Sequence, residues 1–299
     1  MRMGLRDWGL LLLLSFLWGG AFFFAAVAVT ELPPLTVVLA RTGLAALALV
    51  GVLRLGGERW PFRGRTIPIF LIMGLLNNLL PFSLLFWAQT VIPSGLASIL
   101  NATTPIFAIL AAHLLLADER MAANKAAGIG FGFAGVVVLM GGGLLDGTGF
   151  ALAGMLACLG AALSYGLAAT YGRRFRTMGL SAAQVALGQL VATTLMMAPV
   201  AALVDRPWTL PAPSLAVVLA VAALAFVSTA LAYVIFFRLL ASAGAVNTAL
   251  VTLLIPASAI LLGALFLGET LAGRHYAGLA LIGAGLLAID GRVLARLRR

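Results

Sequence analysis

No acidic side chain lies in the middle of any long apolar run of this chain, and charged residues of either sign make up only 9% of it. A soluble domain needs roughly 25% charged residues to cover its surface, so a soluble globular protein is excluded. The missing carboxylates also remove the usual midplane site for a coupling proton or sodium ion. Cysteine is nearly absent: Cys158 stands alone inside an apolar run, so no intramolecular disulfide forms. Histidine is scarce too, and His113 and His275 lie far apart in the chain. No zinc-protease, serine-hydrolase or nucleotide-loop motif occurs. Neither catalysis, a metal nor any cofactor is expected.

What the chain does have is hydrocarbon. Hydrophobic residues reach 63% and the mean hydropathy is +1.14. The apolar stretches are continuous rather than alternating, which favours membrane-spanning helices over a barrel. Spans are expected at about 9–29, 35–54, 67–87, 94–116, 124–143, 149–171, 181–203, 213–237, 243–267 and 274–290. Arg2, Arg6 and Leu10–Leu14, with Ala26-Val27-Ala28 behind them, resemble a signal peptide. The run from Trp8 to Val29 is long enough to cross a bilayer, however, and is read as the first span. Short turns such as Leu32-Pro33-Pro34 and Ile92-Pro93-Ser94-Gly95 leave no room for a separate domain.

The net charge of +10 does not imply nucleic acid, because the arginines sit in short clusters at span ends, as membrane anchors do. If each span crosses once, sixteen of the nineteen basic residues fall on the side of the N-terminus. Only Arg206 and Arg274 fall on the other, and Arg41 stays within a span. That bias places both termini in the cytoplasm.

Asn77 and Asn78 sit mid-span with Pro81 and Phe82 just beyond, and a pattern of the same kind returns 151 positions later as Ser228, Thr229 and Tyr233. Pro105 to Gly135 likewise aligns with Pro256 to Gly285, pairing Glu119 with Glu269, and Trp18 aligns with Tyr165. Two copies of five spans each, an odd number, enter the membrane from opposite sides. This inverted repeat, 9–143 and 149–290, puts a substrate site near the midplane between the halves.

The sequence resembles the drug/metabolite transporter superfamily, and its EamA-type members in particular. The resemblance rests on Leu17-Trp18-Gly19-Gly20, on Pro33-Pro34 followed by Arg41, on Pro105 with Asp118-Glu119, and on Pro256 with Gly268-Glu269. It runs from about residue 9 to 290. It implies an all-α protein of ten transmembrane helices around a central cavity, and export of an amino acid or other small metabolite across a bacterial cytoplasmic (inner) membrane. The second copy departs from the first, with Tyr165 where the first has Trp18 and Gln189 where it has Arg41.

The expected substrate-binding residues are Trp18, Phe22, Asn77, Asn78, Phe82, Asn101, Tyr165, Ser228, Thr229 and Tyr233. Aromatic walls with a few amides suit an uncharged or zwitterionic solute; the alternative for the polar residues is hydrogen bonding between helices. Arg41, buried at a cost of roughly 2.5–3.5 kcal/mol unless compensated, could bind a carboxylate, snorkel to the membrane edge or pair with Glu31. With Pro105, Pro256, Glu119 and Glu269 it is assigned a gating or structural role. His113 is a possible proton relay, or a packed, hydrogen-bonded residue. The glycines from Gly128 to Gly135 and from Gly278 to Gly285 make close-packing faces on spans five and ten, for contacts within the bundle or for a homodimer. The partners expected are a small-molecule substrate and the lipid bilayer. An anionic or phosphorylated substrate is the first alternative, and a membrane enzyme or scaffold the second.

Overall fold

The computed structural model describes residues 4–62, 64–116, 123–145, 149–248 and 250–290. Among them every regular element is a helix. The first is α1, Leu5–Ala28, followed by α2, Pro34–Leu55, which starts on a proline whose missing N–H costs nothing at that position. Next come α3, Ile67–Ala88, and α4, Ser94–Leu115. Then follow α5, Ala123–Leu145; α6, Gly149–Tyr171; and α7, Ala182–Val204. Leu215–Ala222, Ala223–Leu231 and Ala232–Ala243 run on as α8. Val251–Phe266 is α9 and Gly273–Asp290 is α10.

Seven of these, α1 to α4 and α6 to α8, are long and apolar enough to cross a membrane among the described residues. In the other three regions the apolar helices are shorter: Lys125–Met140, Val251–Phe266 and Gly273–Ile289. The ninth region, expected as one span, is divided into a single turn, Ala245–Thr248, and α9. Helix α4 is divided too, at Ala102 and Thr103, just before Pro105 at the start of its second piece.

Large apolar side chains cover the outside, Leu12, Phe16, Leu47, Val137, Leu195 and Leu265 among them, as lipid contact requires. Small residues bring the helices together inside. A Cβ on Gly19 of α1 would stand 2.5 Å from Ser258 Cβ of α9, and one on Gly166 of α6 would stand 2.7 Å from Ala108 N of α4. Backbones that close admit no side chain between them. The glycine faces of α5 and α10 meet each other, with Gly128 against Gly285 and Gly135 against Gly278.

The packing has a regular plan. Helix α1 lies on α9 as α6 lies on α4; α1 touches α8 as α6 touches α3; α2 touches α8 as α7 touches α3. The pairs α2 with α7 and α5 with α10 stand by themselves. Adding five to each helix number, and subtracting ten where the sum exceeds ten, exchanges the members of the first three sets and returns the last two pairs to themselves.

Carboxylates tie the ends. Asp205, after α7, accepts hydrogen bonds from the Thr36 amide (2.7 Å) and hydroxyl (2.9 Å) at the start of α2. At the opposite end Glu58, after α2, accepts one from the Ser181 hydroxyl at the start of α7. Glu31 takes the Ser214 amide ahead of α8 at 2.7 Å, and Glu269 takes the Ser94 amide and hydroxyl and the Gly95 amide at the start of α4 at 2.8, 2.9 and 3.1 Å. Asp205, Glu31 and Glu269 satisfy amides that a helix start leaves open, whereas Glu58 takes only a hydroxyl.

Candidate substrate site

The two polar stretches singled out from the sequence both wind as π-helix, Leu75–Leu79 in α3 and Ala223–Leu231 in α8. Pro81 has no N–H to offer the carbonyl of Asn77, so the turn loosens, and the Leu80 amide bonds Leu75 five residues back. Hydroxyls of neighbouring helices reach carbonyls of this loosened segment. The Ser164 hydroxyl of α6 donates to Leu76 O at 2.7 Å, and the one proton of the Thr193 hydroxyl of α7 is shared between Gly74 O at 3.0 Å and its own Gln189 O at 2.8 Å. In α8, which has no proline here, the Thr229 hydroxyl turns back on Leu224 O at 2.7 Å.

Arg41 of α2 meets both stretches. It is 6% exposed. Its Nε donates to Thr229 Oγ1 at 2.9 Å, and the guanidinium lies 3.9 Å from the centroid of the Phe82 ring and 5.6 Å from that of Phe86. Phe82 and Phe86 stack on each other with their planes 7° apart. Tyr165 and Tyr233 stand close enough to interact with its charge. Of the three placements left open for Arg41, two are thereby removed: it neither snorkels nor pairs with Glu31, which holds Ser214 instead.

Asn78 is fully buried. The Tyr233 hydroxyl reaches its Oδ1 at 3.5 Å, the outer limit of a hydrogen bond, and its Nδ2 has no partner. Ser228 is equally buried and its hydroxyl is unmatched. Asn77 Nδ2 donates to Gln189 Oε1 at 2.8 Å. So the amide at the sequence counterpart of Arg41 pairs α7 with α3, much as Arg41 pairs α2 with α8.

The remaining expected residues lie around this group or away from it. Trp18 packs on Phe236 of α8, ring centroids 5.5 Å apart, and Phe22 is buried one turn further along α1. Asn101 ends the first piece of α4, its Oδ1 unmatched. Pro105 opens the second piece, and Pro256 lies inside α9 rather than at its break. His113 is exposed in the last turn of α4, so it is not packed inside the bundle. Glu119 lies outside the described residues.

A pocket of about 280 Å³ opens elsewhere, between Glu58, Trp60, Met178 and Gln184 at one end of the bundle. A second, of about 250 Å³ and apolar, lies between α9 and α10 beside Ala102. At the Arg41 cluster the polar atoms are shut in. Sequence reasoning missed Ser164, Thr193 and Phe86; a hydroxyl one position from Tyr165, or four from Gln189, was the available signal.

A helical bundle dressed outside for lipid, with a polar group closed in at its centre, is the architecture of an integral membrane protein. The chain belongs to the EamA-like transporter family, whose model matches it twice, over residues 8–141 and 152–289. It is 29% identical to the uncharacterized inner membrane transporter YedA of Escherichia coli (strain K12), across 92% of this chain and 87% of that one. It is 30% identical to the uncharacterized transporter YvbV of Bacillus subtilis (strain 168), across 95% and 92%. A probable amino-acid metabolite efflux pump of Salmonella typhimurium (strain LT2) is 27% identical, across 95% and 94%. A protein solved by crystallography superposes with a TM-score of 0.66 at 21% identity, covering 96% of this chain and 98% of that one, which gives the shared fold.

Proposed function

We propose that this protein exports a small metabolite, an amino acid in the first instance, by alternating access across the bacterial inner membrane. The observation that carries this reading is the Arg41, Asn78 and Thr229 group, polar atoms closed inside a bundle whose outer surface is apolar. Polar side chains this deep in a membrane mark solute pathways.

In this reading α1 to α5 and α6 to α10 are ten spans in two inverted repeats. Two matches to one family model, residues 8–141 and 152–289, support it, as do contacts that map onto one another when five is added to each helix number. The carboxylate ties at the two ends then work in opposition. Opening one end breaks Asp205 from Thr36 and Glu31 from Ser214; opening the other breaks Glu58 from Ser181. All three ties are made in the form described. The bias of basic residues supports cytoplasmic termini, and the names of the Escherichia coli and Salmonella relatives support the inner membrane and amino-acid efflux.

The test is uptake and counterflow of radiolabelled amino acids in proteoliposomes, with and without a pH gradient. Saturable transport, lost in Asn78→Ala and Thr229→Val, is the expected result. No transport of any amino acid by folded protein would overturn the substrate assignment.

A further inference from the structure

We propose that Arg41 and the amide of Asn78 form an anchor for a single carboxylate on the solute, and that the solute's amino group is not what the site recognises. This rests on the central cluster being the solute site.

The guanidinium is nearly fully buried, yet among the described residues no carboxylate pairs with it. Of its five N–H donors, Nε is used by Thr229, and no described acceptor takes the rest. The Phe82 ring covers one flat face, which leaves the edge carrying the two Nη groups. That edge is the fork a carboxylate matches with two parallel hydrogen bonds. A second donor is waiting close by. Asn78 Nδ2 is buried without a partner, one helical turn before the Phe82 that touches Arg41.

Charge selects within the anions. One cation and one neutral amide balance one negative charge; a phosphate dianion would leave the second uncompensated, and a neutral solute would leave the guanidinium so. Nothing anionic among the described residues meets an ammonium here, and Tyr165 and Tyr233 offer aromatic surface to the rest of the solute. The carboxylate is therefore required and the ammonium dispensable.

Purified protein in detergent is heated with increasing concentrations of leucine, its α-keto acid, the matching amine (isoamylamine) or leucine methyl ester, since a ligand that binds the folded form raises the midpoint. Both acids should raise it, and the amine and ester should not. Arg41→Gln should bind the acids about tenfold to a hundredfold more weakly, the range for losing a charge-assisted hydrogen bond, with Arg41→Lys in between. Asn78→Asp supplies the missing counter-charge from within; it should fold and lose acid binding, and it serves if Arg41→Gln does not fold. Equal binding of amine or ester, acids bound undiminished by both variants, or no acid bound at millimolar concentration would each overturn the anchor. Acids that bind but are never transported in proteoliposomes would sink the transport reading and leave the anchor standing.

Discussion

Asp205 Oδ2 holds both the amide and the hydroxyl of Thr36, at 2.7 and 2.9 Å, so the residue that follows one helix fixes the first turn of another 169 positions away. Removing a capping side chain typically costs about 0.5–2 kcal/mol. Asp205→Ala should therefore lower the thermal midpoint, and should make a cysteine placed at Thr30 react faster with a membrane-impermeant thiol reagent. Cys158 is fully buried and adds little background. Unchanged labelling would show that this tie does not hold that end shut.

Glu31 gives a pH-dependent version of the same test. The Ser214 amide, and after it the Ser214 hydroxyl, hold its carboxyl below the usual glutamate value of 4.5. The folded form thus prefers the carboxylate. The stabilisation is complete above the unfolded value and disappears as pH falls through the lowered one. The difference in midpoint between the native chain and Glu31→Gln should be steady from about pH 6 to 8 and should shrink as the pH falls below 4.5. A difference that grows on acidification would contradict the assignment.

Gly19 and Gly166 mark the closest crossings of α1 with α9 and of α6 with α4. A side chain at either forces backbones apart, at about 1–3 kcal/mol for overpacking. Gly19→Leu and Gly166→Leu should each lower the yield of monodisperse protein in detergent, while Gly130→Leu, where nothing stands within 4 Å of the added carbon, should not.

The π turn of α3 depends on hydroxyls from its neighbours. Ser164→Ala takes from Leu76 O its donor, at about 1–3 kcal/mol, and Thr193→Val removes the hydroxyl shared by Gly74 O and Gln189 O. Destabilisation by both, and less than additive loss in the double variant, is the expected outcome of thermal unfolding. If neither shifts the midpoint, water or rewinding of the turn satisfies those carbonyls.

Much of this was legible in the residues. Continuous apolar runs gave the helices, because lipid demands side chains of one kind over a whole span. The polar pair at Asn77 and Asn78 and its return at Ser228 and Thr229 fall inside the two segments that wind as π-helix, although nothing in the residues announced that winding. Other features depend on which helices cross, and a string of residues does not hold that. Arg41 had three partners within reach of its long side chain; α8 passing beside α2 decided among them. Gln189 stood out only as the residue that replaces an arginine, and its bond to Asn77 needed α7 against α3. The division of the ninth region had only a weak signal, Gly244, which takes φ +79°, with Asn247 and Thr248 just beyond it in an otherwise apolar run.

The meeting of Gly128 with Gly285 has a consequence for how the protein is made. When α5 leaves the ribosome its glycine face has nothing to close against, and the helix that fits it is encoded some 150 residues later. At roughly 5–20 residues per second, the first half waits about 10–30 s in the bilayer with that groove open to lipid. A pause or a truncation in that interval strands a half-protein with a sticky stripe, and co-expressed halves should find each other through it.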